Sequence, residues 1–232
     1  MMAMDEEKGV LRWGGLAGIL GGIIFILVFV VVIVFVGADP AQPEGEVIRF
    51  PEIRAARMLE NSLYLVVLIL WIAHFLALYR ALRRTSLAPA LFGSIVGIVG
   101  LGVLAAGALP HVATAPISDL YHAPGATPED QATLVLLWQA TEGIFDALFG
   151  VGLLVVPIGL ITLGVAMLGA PAFGKGSGGI SVVLGVIGVV AATVLLVDPL
   201  SPIAFVGVLA LIVFNLVLGW KVYSLSRVRS EA

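Results

Sequence analysis

The chain has 232 residues, of which 60% are hydrophobic and only 12% charged, with a mean hydropathy of +1.14. Soluble domains carry about 25% charged residues, so this composition excludes a water-soluble fold and makes lipid the main solvent. A net charge of -3 with dispersed cations excludes nucleic-acid binding, and the absence of cysteine excludes disulfides, thiolate metal sites and cysteine nucleophiles.

At about 20 residues per crossing, the length allows six transmembrane helices with short connections and leaves no room for a separate catalytic lobe. Met1 to Arg12 is short and polar, and Gly14 to Val36 then runs without a charge. That run is longer than the roughly 7–15-residue apolar core of a secretory signal, so it reads as a retained first helix. Gly14, Gly18 and Gly22 form a small-residue ridge at its entry that lets a neighbouring backbone approach. Its far half is rich in valine and isoleucine, which in water would favour a strand. In lipid a lone strand leaves its polar backbone unpaired, so the helix prevails. The connection opens with the turn-rich GADPAQPEGE. Pro51 then begins a long helix to Arg84, crossing over residues 62–82, with its first turns clear of the hydrocarbon. His74, deep in this helix, reads as a side chain hydrogen-bonded within the bundle.

The third crossing, over residues 89–109, is built on small residues such as Gly93, Gly97 and Gly100, which suits a helix in the middle of a bundle. It is expected to end at Pro110, followed by a loop that holds His111, Asp119 and His122. Thr127, Pro128, Glu129 and Asp130 supply a capping hydroxyl, a first-turn proline and first-turn acids, so a fourth helix begins there and crosses over residues 144–168. Pro157 inside it is expected to kink it. A glycine-rich turn leads to the fifth crossing, residues 180–197, and the short DPLSP turn leads to the sixth, residues 203–220, whose one strongly polar residue is Asn215. The expected fold is an all-α polytopic integral membrane helix bundle. One transmembrane domain covers residues 1–232, and the outer segments 37–61 and 110–137 are partly helical.

Six crossings put both termini on one side, and the positive-inside rule makes that side cytoplasmic. Lys8, Arg12, Arg80, Arg83, Arg84, Lys175, Lys221, Arg227 and Arg229 fall there. Only Arg49, Arg54 and Arg57 fall on the other, which instead collects acids such as Asp39, Glu44 and Glu46. The expected location is the cell (cytoplasmic) membrane.

Asp146, at the outer edge of the fourth crossing, is the only acid inside an expected crossing; Glu142 lies one turn above it, and four residues apart on a helix the two share one face. Intramembrane acids are costly and mark functional sites, so their partners matter. Arg57, with Arg54 and Asn61, lies at the same depth and is the expected polar network. No nucleophile elbow, zinc-protease helix, phosphate loop or nucleotide fingerprint is present. Histidines and acids on the outer face, His111, His122, Glu142 and Asp146, have the donor types of a zinc or copper site, though their spacing matches no metal motif, and no cofactor is predicted.

The run HFLALYRALRR (His74 to Arg84), which contains LALYRAL, stands between two glycine-rich helices. In span order the chain resembles the six-helix bacterial membrane proteins grouped as domain of unknown function 4386. The resemblance implies the fold and brings no activity, substrate or site residue. Three function classes stay open. The leading one is a structural or accessory bundle, freestanding or a subunit of a larger complex. The second is a carrier or channel for a small solute, proton or cation using Glu142 and Asp146. The third, an outer-face membrane enzyme, has the least motif support. The expected partners are the lipid bilayer and, through small-residue faces, other membrane subunits or a second copy.

Overall fold

The computed structural model describes residues 2–38, 40, 42–198 and 201–228. The expectations for Asp39 and Arg229, and for the middle of the DPLSP turn, lie outside the described residues. Among the described residues all regular structure is helical: α1 (Met2–Val31), extended by a π-helical turn (Val32–Val36), α2 (Pro43–Leu82), α3 (Leu87–Tyr121), α4 (Pro128–Leu168), α5 (Gly174–Val197) and α6 (Ile203–Val228). All six are long and apolar enough to cross a membrane. Each packs on its neighbours in sequence and α6 closes on α1, so the helices form a ring; α2 also reaches α4 and α6 across it.

Glycine sets how closely the ring closes. Gly15 of α1 and Gly219 of α6 lie against each other's backbone; a Cβ at Gly219 would come within 2.9 Å of Gly15 O and Ile19 N. Gly93 and Gly97 of α3 meet Gly159 of α4 in the same way, and a Cβ on Gly159 would lie 2.7 Å from Gly97 N. Small residues matter here because helices in lipid associate by close packing, with no hydrophobic drive between them. Gly18 faces the His74 ring and Gly22 faces Leu216, so the ridge on α1 packs inward as its spacing implies. At this end Glu7 lies 3.1 Å from Arg84 and 3.8 Å from Arg80, which joins the start of α1 to the end of α2.

The other end is different because α2, α3 and α4 overshoot. Helices of 40, 35 and 41 residues run about 50–60 Å against a hydrocarbon core of about 30 Å. Their extensions form a cap with its own small core: Val47 and Phe50 of α2, Ala115, Ile117 and Tyr121 of α3, and Trp138 of α4. Polar ties reinforce it. Arg54 donates to Asp119 at 2.7 Å, Trp138 Nε1 to Glu46 at 3.0 Å, and Tyr121 OH to Glu44 at 3.2 Å.

This cap corrects two expectations. α3 does not end at Pro110 but continues through Pro110 and Pro116 to Tyr121, because the extension buries Ala115, Ile117 and Tyr121 in the cap core. α2 begins at Pro43, two turns before Pro51, with Glu44 and Glu46 in its first turn. Pro51 leaves the carbonyl of Val47 without its helical N–H, and Ser118 Oγ of α3 donates to that oxygen at 3.3 Å. α4 starts as its sequence implies. Thr127 accepts from Asp130 N at 3.2 Å, and Asp130 accepts from Thr127 N at 3.0 Å, a complete capping box. α4 also continues through Pro157, whose ring is seated against Gly188 of α5.

Candidate functional site

Between the three overshooting helices lies a polar vestibule of about 610 Å³. α2 contributes Glu46, Arg49, Phe50, Ile53 and Arg57, a spacing that keeps all five on one helical face. α3 adds His111 and Thr114, and α4 adds Trp138, Glu142 and Asp146 at intervals of one turn. A cavity of this size is in the range of small-ligand sites, which run to about 300–1,000 Å³.

The charges in the vestibule differ in how they are held. Arg49 caps the end of α1 by donating to the carbonyls of Val36 and Ala38. Arg57 donates to Glu60 one turn along, at 3.1 Å. Glu46 accepts from Trp138, and Glu142 lies 3.5 Å from His111 Nε2. Asp146, one turn deeper, makes no hydrogen bond or ion pair among the described residues; it shares the vestibule lining with Glu142, His111 and Arg57. Glu142 likewise accepts no hydrogen bond among the described residues, and its 3.5 Å approach to His111 is an ion pair only with a protonated ring.

Below the vestibule, and sharing His111 with it, is an apolar chamber of about 220 Å³. Phe25, Val28 and Phe29 of α1, Phe145 and Phe149 of α4 and Val208 of α6 form most of its wall. The phenylalanines pair along their own helices: Phe25 stacks on Phe29 at 5.5 Å and Phe145 on Phe149 at 5.5 Å. Across helices Phe25 meets Trp71 of α2 edge-on at 5.3 Å and Phe29 meets Phe205 of α6 at 5.1 Å, so the α1 rings pack to one side of the chamber. His111 lies flat on Phe145, with centroids 4.0 Å apart and planes inclined by 18°, so that pair divides chamber from vestibule.

Of the residues expected in one polar network, Arg57, Glu142 and Asp146 line the vestibule together. Arg54 stands above it with Asp119, and Asn61 lines the chamber. Of the candidate metal ligands, His111, Glu142 and Asp146 meet. His122 is about 16 Å along α3 from His111 and is held by Ser118 O at 2.9 Å. Among the described residues no group of three or more His, Asp or Glu is placed to hold a metal ion. His74 is fully buried, with Nδ1 donating to Gly14 O at 2.9 Å, the hydrogen bond within the bundle that its position implied. Glu46, Arg49, Thr114 and Trp138 were not singled out for the site from sequence. The signal for the first two was Pro43 with Glu44 and Glu46, a helix start that extends the face of Arg57 outward.

In the cap, beyond the crossings, Tyr121 is pushed up from its ordinary pKa by burial, with the charge and hydrogen bond of Glu44 adding to it. Asp130 is held below the usual carboxylate range by its hydrogen bonds from Thr127.

Six apolar helices closed into a ring, with a polar cavity at one mouth, define a multi-pass membrane protein. The family described as a domain of unknown function (DUF4386) matches residues 55–225, and the chain belongs to that family. No curated protein and no solved structure matches the chain.

Proposed function

We propose that the chain is a small-solute carrier or binding protein, holding a small organic cation or zwitterion in the vestibule with Asp146 as the main counter-charge. One observation carries this: a cavity of ligand size holds a carboxylate without a hydrogen bond or ion pair, while Glu46, Arg49 and Arg57 have partners. Asp146 is exposed to the vestibule, within reach of an entering cation, and acids at the mouth of a membrane bundle mark ion and substrate sites. Arg57, held by Glu60 of its own helix, and Glu142, beside His111 of α3, are the structural part of the network. The test is thermal stabilisation of the detergent-purified protein by a panel of small ammonium compounds, guanidinium and amino-acid zwitterions, with simple anions as controls. Cationic or zwitterionic members should raise the melting temperature of the parent and not of Asp146→Asn. Stabilisation by none of them, or equal stabilisation of the variant, overturns the proposal.

The basic-residue count supports cytoplasmic termini in the cell membrane, with the vestibule opening outside. Single cysteines can be placed without background, since the native chain has none. An impermeant thiol reagent applied outside should label cysteine at Gln42 and Ala126 and miss it at Thr85 and Ser177; the reverse pattern inverts the topology.

The accessory-subunit reading is favoured by one surface. On α3, Gly102 has nothing within 4 Å and Ala106, one turn on, is exposed, a small-residue face that no helix of this chain covers. A stoichiometric partner in the natively purified protein, lost in Gly102→Leu, would favour it.

A further inference from the structure

The chamber beneath the vestibule is not needed to bind a small cation, yet its geometry is specific. It is walled by five of the six helices and shares His111 with the vestibule. One polar side chain faces it with nothing to bond: Asn61 is only 6% exposed, lines the chamber, and its amide makes no hydrogen bond among the described residues. Its carbonyl and NH2 are therefore available to a hydrogen-bonding group on a ligand in the chamber. Tyr64, also on the wall, is already committed, donating to Leu104 O at 3.5 Å.

We infer that vestibule and chamber are two lobes of one site for an amphipathic ammonium compound. Its charged head sits at Asp146, and its apolar body lies among Phe25, Phe29, Phe149 and Val208. This rests on the vestibule reading above and adds the substrate class. The size of the body follows from the volume: an apolar cavity of about 150 Å³ accepts benzene, so about 220 Å³ accepts a phenyl ring or a short branched alkyl group. A neutral hydrogen-bonding substituent on that body would reach the Asn61 amide. His111 is the wall that the two lobes share. Its stack on Phe145 and its 3.5 Å approach to Glu142 hold it in place.

The experiment is equilibrium binding to the full chain in lipid nanodiscs, with empty nanodiscs subtracting partition into lipid. The probes are methylammonium, benzylammonium and 4-hydroxybenzylammonium. Burying a ring should make benzylammonium bind about tenfold or more tighter than methylammonium, and the hydroxyl should add to that gain only while Asn61 is present. Val208→Phe, which fills the chamber from α6, should abolish the benzyl gain. A diazirine-bearing benzylammonium should label α1 and α6 peptides in the parent, a readout that does not depend on a variant folding. Methylammonium binding with no benzyl gain, a gain that survives in Val208→Phe, or labelling confined to residues of the vestibule overturns the two-lobe site while leaving the vestibule reading intact. Failure of every ammonium compound to bind overturns both.

Discussion

His74 and His111 lie on adjacent helices, and their surroundings show how one ring is closed at the terminal end and hollow at the other. His74 is fully buried against Gly14 and Gly18 of α1, with Phe214 of α6 beside it. His111 stands between two cavities, in contact with Glu142 and Phe145. The terminal end fills its interior with backbone, because Gly15 and Gly219, and Gly97 and Gly159, let helices touch. At the other end aromatic rings, such as Phe50 on Trp138 and His111 on Phe145, make the contacts between helices, and charged groups line the space they leave. Close packing supplies the stability of the bundle, and the looser end is where a ligand can enter.

That comparison is tested most severely at the closed end. Gly159→Leu drives a side chain into the backbone of α3 and should destabilise by about 1–3 kcal/mol or more, enough to remove folded protein from detergent extracts. Gly102→Leu, facing open space, should change stability by less than about 0.5 kcal/mol. Equal losses in the two would show that the close contacts are not what holds the ring.

Next in size is the polar lining that Arg57 and Glu142 share at the open end. Thermal unfolding of Arg57→Gln, Glu142→Gln and the double variant should show a coupling of about 0.5–3 kcal/mol, with a single deletion costing more than its share because it strands a charge. Additive losses would detach Arg57 from Glu142 and leave the cap core and the Trp138–Glu46 hydrogen bond to join α2 to α4.

The cap gives a smaller effect. Thr127→Ala removes the hydroxyl that starts α4 and should cost about 1 kcal/mol. Asp130 has a folded pKa below its unfolded one, so its contribution is complete above the usual carboxylate range and is lost as pH falls through the lowered value. The difference between Thr127→Ala and the parent should therefore shrink in strongly acidic buffer. A difference that is constant with pH would mean that the capping box does not form.

The crossings were legible because lipid demands long apolar helices, and the glycine spacing of α1 and α3 told which faces pack. The start of α4 was legible because Thr127 to Asp130 is a local signal. The continuation of α3 through Pro110 and Pro116 was not. Proline marks a boundary in local terms, and only the contact of Tyr121 and Ile117 with Val47 and Phe50, some 70 residues earlier in the chain, outweighs it. The vestibule was half legible: the acids announced themselves inside an apolar run, while Glu46 and Arg49 looked like part of a connection until α2 was seen to start at Pro43. The chamber had no sequence signature, since phenylalanines four apart look the same whether they fill a core or frame a void.

The central claim is that Asp146 is kept for a ligand and not for the fold. The direct measurement is the melting temperature of Asp146→Asn beside the parent, both without ligand and in nanodiscs. Removing a carboxylate that has no ion pair should leave the temperature unchanged or raise it. A fall of more than about 3 °C, on the order of 1 kcal/mol for a chain of this size, would contradict the account and make Asp146 a structural residue.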